Sequence, residues 1–175
     1  MNRRVAKFYK VPFEEFKEAW LDEFPGASDD KVKEIYDGIM IPKRATSGSM
    51  GYDFYAPVEI VLAPNQGMKI PTGIGIEFVE EGWCLFCLPR SGYGFKFRLQ
   101  LDNTVGVIDE DYRYAKNGGH IFEKITNDSR AGKLLKIPAG EAFCQGIILP
   151  YGLTVDDDCT TKRVGGLGST TKSKQ

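Results

Sequence analysis

Histidine is almost missing from this chain: 175 residues hold one, His120. Its isolation excludes histidine-rich metal sites and a serine–histidine–aspartate relay with a spare base. No apolar run approaches the roughly 20 residues of a membrane-spanning helix. The opening residues MNRRVAKFYK carry two arginines but no apolar stretch behind them, so no secretory signal is expected and the cytoplasm is the default location. Neither sign of charge dominates, since 23 Lys and Arg against 24 Asp and Glu leave a net charge of −1. That balance speaks against a general nucleic-acid or membrane-surface binder. No Gly-Lys-Ser/Thr completes a Walker A loop, and no internal repeat of about 20–50 residues is found. Cysteine is scarce: Cys84, Cys87, Cys144 and Cys159 are the four. Cys84 and Cys87 have C-x-x-C spacing, but no second such pair exists. They lie in Trp83–Leu88, which reads as a buried strand, and a spacing of three puts them on opposite faces. They are expected to be reduced core or near-core residues.

What is present is globular: 42% hydrophobic and 27% charged residues, enough for one domain with a real core. Arg4 to Val11 alternates weakly and reads as a first strand. Pro12 then suits a first helical turn. Phe13, Phe16, Trp20 and Phe24 recur at three, four and four, one apolar helical stripe. Pro25-Gly26 ends it. Ser28 is a candidate cap for a second helix, with Asp29 and Asp30 in its first turn and Val32, Ile35, Tyr36 and Ile39 as its apolar face. From Ile41 onward short β-rich runs alternate with Gly, Pro, Asn and Asp. Met68, Ile70, Ile74, Ile76 and Phe78 keep an even spacing. Phe97, Leu99 and Leu101 alternate with Lys96, Arg98 and Gln100 in the manner of a strand. The expected fold is mainly β, a barrel or sandwich such as a jelly roll. It carries a helical insertion over 12–40 and makes one domain over 1–160. Residues 161–175 form a basic, Gly/Ser/Thr-rich tail expected to be mobile alone.

Four groups carry candidate chemistry. Arg90, Ser91 and Gly92 follow a buried strand; they offer a guanidinium fork, a hydroxyl and backbone N–H groups to an anion, or form an ordinary polar turn. In Gly106-Val107-Ile108-Asp109-Glu110-Asp111-Tyr112, Asp109 ends a buried strand and suits a general base, a metal anchor or a plain acidic turn. Asp53 enters an apolar strand in Gly51-Tyr52-Asp53-Phe54-Tyr55-Ala56 and requires an arginine or ion as partner. In the tail, Lys162 and Arg163 precede Gly165, Gly166, Gly168, Ser169 and Thr170, the composition of a phosphate cradle or of a soluble terminus.

The order of these groups, with Gln145 on a strand between the last two, resembles the five motifs of the trimeric dUTPase family between Ile41 and Thr170. The resemblance implies a jelly-roll-like homotrimer with active sites shared between chains, splitting dUTP into dUMP and pyrophosphate with Mg2+. By motif, Asp109 would activate water at the α-phosphate and Tyr112 would lie under the deoxyribose, excluding a 2′-hydroxyl. The hairpin from Asn103 through Gly106 and Val107 to Asp109 would read uracil. Arg90, Ser91 and Gly92 would hold phosphate, and Gln145 would position phosphate or water. Asp53 would act near the metal-bearing triphosphate or in a supporting ion pair. Arg163, Gly166, Leu167, Gly168, Ser169 and Thr170 would close over the nucleotide.

Departures from the family pattern are visible. Leu167 stands where an aromatic ring stacks on uracil. Ala142 replaces an arginine three residues before Gln145, and Gly146 follows that glutamine. Arg113 to Gly118 is inserted after Tyr112, and the 12–40 helices are additional. A dCTP deaminase-like enzyme is one alternative, but Lys124 occupies the position of its glutamate. A nucleotide-gated regulatory module is another, with the stripe of 12–40 as its protein-partner surface.

Overall fold

The computed structural model describes residues 3–163 and residue 165. Strand β1 (Ala6–Lys10) pairs antiparallel with β5 (Ile74–Phe78), with Ala6 opposite Phe78. Helices α1 (Phe13–Glu23) and α2 (Asp29–Gly38) come next. Ser28 caps α2 as expected, its Oγ accepting from the Lys31 N–H at 3.3 Å; Pro12 sits just ahead of α1.

The stripe of α1 turns inward. Phe16 and Trp20 are buried, and Phe16 meets Trp20 and Tyr36 at ring-centroid distances of 5.4 and 5.5 Å. Val32 and Ile35 of α2, and Ile39 just after it, join the same core as the barrel strands. Burying each such side chain contributes roughly 1.5–3 kcal/mol. The rings that were the alternative partner surface are packed on the chain's own core.

The main sheet runs β2 (Gly51–Tyr55), β11 (Ala142–Pro150), β6 (Trp83–Pro89), β8 (Gly106–Ile108). A second sheet runs β4 (Gly67–Pro71), β9 (Phe122–Asn127), β7 (Leu99–Leu101). A short pair joins β3 (Ile60–Leu62) to β10 (Leu135–Ile137). Every pairing is antiparallel, and Phe54, Leu85 and Phe143 share one core with Ile70, Leu99 and Ile125. This is the expected jelly-roll-like β architecture. Among the described residues no helix is long and apolar enough to cross a membrane.

Two patterns misled. The even spacing from Met68 to Phe78 runs through a break, because Thr72-Gly73 carries the chain from β4 in one sheet to β5 in another. The alternation around Phe97 is part helix: α3 (Ser91–Phe97) ends at Arg98, whose φ of 50° turns the chain into β7. Cys84, Cys87 and Cys144 are buried and free as expected, but Cys159 is exposed, since it lies on the irregular segment after β11. Cys84 feels the charge of Asp109 and Cys87 that of Glu123, in keeping with opposite faces of β6.

Candidate functional site

Strand β8 is the open edge of the main sheet; Val107 pairs with Phe86 on β6, and its side chain is half exposed. Buried Ile108 anchors the strand, and Asp109 follows it with 53% of its side chain in solvent. A tight turn then closes, the Tyr112 N–H donating to the Asp109 carbonyl at 3.1 Å. Tyr112 is buried; its hydroxyl donates to the His120 carbonyl and receives the Asn117 Nδ2, both at 3.0 Å. Burial pushes the Tyr112 phenol pKa up, against the pull of the Asn117 hydrogen bond and the Arg163 charge.

Arg163 returns to this corner. Its Nη2 bonds Asp109, its Nε bonds Asp111 Oδ1 at 2.7 Å, and its Cζ lies 5.6 Å from the centre of the Tyr112 ring. Only 11% of its side chain is exposed. Burial alone would pull the guanidinium pKa down, but the Asp111 bond and the Asp109 charge outweigh it and the shift is upward.

A second cluster gathers at the far end of β6. The register of β11 against β2 slips between Ala142 and Cys144, a bulge at Phe143. Its carbonyl accepts the Arg90 N–H at 3.2 Å. The Arg90 Nε faces Asp53 Oδ1 at 3.2 Å, and its Nη1 reaches the Ala142 carbonyl at 3.4 Å. Asp53 has the arginine partner its burial demanded. Gln145 lies opposite Asp53 and donates to the Pro89 carbonyl at 3.4 Å. Its side chain covers Gly51, where a Cβ would sit 2.5 Å from Gln145 Oε1, so any larger residue there would push the glutamine aside. Ser91 and Gly92 open α3, whose first turn leaves its leading N–H groups without helical partners.

The structure thus brings the predicted residues together in two sets. Asp109, Tyr112 and Arg163 form one; Asp53, Arg90, Ser91, Gly92 and Gln145 form the other. Ile108 pairs with Leu85, whereas Ser91 and Arg90 lie just beyond Pro89. About six residues of strand therefore separate the sets, roughly 20 Å at the usual rise. Val107 lies near the first set, but Gly106 pairs with Cys87 midway along β6, with Asn103 beside it, and the three are not on a β-hairpin. The turn over 102–105 joins β7 and β8, which belong to different sheets, so what β8 offers is an unpaired edge. Lys124 faces outward and pairs with Asp102 at 2.9 Å, while its neighbour Glu123 points into the core. Gly166, Leu167, Gly168, Ser169 and Thr170 lie outside the described residues. Sequence reasoning gave no role to Asp111, although its Asp-x-Asp spacing from Asp109 was a signal, and none to Asn117, hidden in an inserted stretch without pattern. Among the described residues no three His, Cys, Asp or Glu side chains are grouped to hold a metal.

A family model described as dUTPase matches residues 37–171. The chain belongs to the dUTPase family. A deoxyuridine 5'-triphosphate nucleotidohydrolase of Nitrosospira multiformis is 39% identical over 151 residues, covering 82% of this chain and 93% of the relative. One of Tolumonas auensis is 35% identical over 136 residues, covering 74% and 85%. The solved dUTPase of Streptococcus mutans superposes with a TM-score of 0.58 at 32% identity, covering 67% of this chain and 90% of that one. A point mutant of the dUTPase from phage phi11 of S. aureus, solved to show the coordination of a structural Mg(II) ion, shares the fold. Its TM-score is 0.60 at 17% identity, covering 90% of this chain and 98% of that one. The dUTPase match begins at residue 37, so β1 and α1 lie before it although the core includes both.

Proposed function

We propose that the protein hydrolyses dUTP to dUMP and pyrophosphate by attack of water on the α-phosphate, in sites shared between the chains of a homotrimer. The observation that carries the reading is Asp109: a half-exposed carboxylate one residue past an edge strand, linked through Arg163 to the Tyr112 ring, in a chain of this family. A carboxylate so placed accepts the proton of a water as it attacks phosphorus. The β8 edge offers N–H and C=O groups to a base, and the Tyr112 ring offers a floor to a sugar without a 2′-hydroxyl. Arg90, Ser91 and Gly92 supply donors for phosphate oxygens, where charge develops in the transition state. Gln145 positions phosphate or water beside them. A triphosphate carries more negative charge than Asp109 and Asp111 together and competes for Arg163, which we assign to closure with Gly166, Leu167, Gly168, Ser169 and Thr170.

Among the described residues no three ligating side chains are grouped to form a metal site, and Asp53 is engaged by Arg90. Mg2+ suits this reading as part of the substrate, held chiefly by the phosphates, as its preference for phosphate and water ligands allows. Asp53 acts indirectly, by holding Arg90. What supports the trimer is the gap of roughly 20 Å, since one triphosphate cannot reach both sets within one chain. A cytoplasmic place of action belongs to the same proposal. Deamination is disfavoured by Lys124, which pairs with Asp102 where an acid is required.

Complementation tests this reading. Asp109→Asn and Ser91→Ala are each expected to abolish turnover as homotrimers. Unfolded and refolded together, they should regain up to about a quarter of the sites, those that draw an intact half from each neighbour. No recovery from well-folded mixed trimers would contradict shared sites, and turnover by Asp109→Asn alone would remove Asp109 as the base.

A further inference from the structure

The inserted residues Arg113–Gly118 lie directly behind Tyr112. A 3-10 turn over Tyr112–Tyr114 starts them, and successive bonds from the Ala115, Gly118 and His120 N–H groups to the Tyr112, Ala115 and Asn117 carbonyls fold them tightly, at 3.0, 2.9 and 3.1 Å. Asn117 sits at the centre. Its Nδ2 donates both to Tyr112 Oη at 3.0 Å and to the His120 carbonyl at 3.1 Å, and Tyr112 Oη donates to that same carbonyl at 3.0 Å. The three groups close a triangle at the tip of the Tyr112 ring.

The triangle is braced from outside the insertion. Tyr9 of β1 donates its hydroxyl to the Gly118 carbonyl at 3.0 Å. Gly119, with φ of 71°, leaves the room this needs: a Cβ there would stand 2.7 Å from Tyr9 Oη and 2.6 Å from Arg113 Cα. His120 accepts the Gly73 N–H at 2.8 Å and stacks on Phe122 at 4.4 Å, with Phe16 of α1 at 6.1 Å. Two of the departures from the family pattern, the helices and the insertion, therefore meet behind one aromatic ring.

Asn117 Oδ1 is buried without a hydrogen-bond partner. An unpaired buried carbonyl is unfavourable, and an apolar side chain would fill the volume without that cost. What this position retains by having an amide is the donor to Tyr112. We infer that Asn117 is a positioning residue: by holding the Tyr112 hydroxyl it fixes the plane of the ring, and so sets how strictly the site rejects a 2′-hydroxyl. The inference rests on the reading of Tyr112 as the floor under the sugar. A ring fixed at both Cβ and hydroxyl cannot tilt to admit an extra oxygen, and small displacements at such a contact have large kinetic effects.

The test is the ratio of kcat/KM for dUTP over UTP, measured on the full chain with Mg2+. Asn117→Ala removes the amide, and Asn117→Leu fills its volume with no hydrogen-bonding group, in case the first variant folds poorly. Lys116→Ala, exposed in the same turn, is the control. Both Asn117 variants should lower the ratio by about three- to tenfold, the scale of one hydrogen bond, while Lys116→Ala leaves it unchanged. A purely structural role reduces the folded fraction and scales both substrates alike, so an unchanged ratio overturns the inference. No turnover of dUTP by the unmodified protein would instead overturn the hydrolase reading, and the inference with it.

Discussion

Glu123 is a carboxylate in an apolar place. It is 3% exposed, its Oε1 has no hydrogen-bond partner, and burial pushes its pKa up to about 7, with the Cys87 and Cys144 thiols beside it pulling slightly down. Its position was legible in the sequence, because Ile121, Glu123 and Ile125 share one phase of the strand alternation; its cost was not, since that depends on β6 and β11 delivering thiols rather than a cation. The folded pKa lies above the ordinary carboxylate value of 4.5. The protonated form is therefore the one the fold favours: its contribution is complete below the unfolded pKa and is lost as pH rises through about 7. Glu123→Gln should remove this dependence and stabilise the protein above neutrality by roughly 3 kcal/mol, read from melting or urea curves between roughly pH 5 and pH 8. Parallel curves for both proteins would show that Glu123 does not titrate there. Asp109 and Tyr112 were legible through the order of motifs. The link from Arg163 to Asp109 and Asp111 was not, because it joins residues about fifty positions apart.

At the scale of elements, periodicity succeeded where one face of an element meets the core. The spacing of Phe13, Phe16, Trp20 and Phe24 gave α1, and the Ser28 cap gave the start of α2. It failed for α3, whose sequence SGYGFKF has two glycines and an alternating pattern and buries no residue. It failed also at Thr72-Gly73, where the even spacing crosses from one sheet to another. The helical pair is part of the core rather than an appendage. Phe16→Ala should cost about 3–5 kcal/mol, the usual range for emptying a buried aromatic site, measured by urea unfolding. A loss below about 1 kcal/mol would show that the core does not depend on α1.

At the scale of the whole molecule, the fold holds the two functional sets apart. The stiff strand β6 runs between them, so the ring of Tyr112 and the donors of Ser91 and Gly92 cannot converge by a change of rotamer. Association of copies, proposed above, would join them, and the register of β6, β8 and β11 gives the separation it would have to bridge. The motif resemblance implied active sites shared between chains; it did not tell that the two sets stand at opposite ends of one strand, which the register of β6 supplies. The most direct measurement is pyrophosphate release with Mg2+ from dUTP, dCTP, TTP and UTP, with ammonia followed in parallel. Rapid release from dUTP alone, with no ammonia, is the expected result. Ammonia from dCTP, or tight nucleotide binding without any turnover, would contradict it.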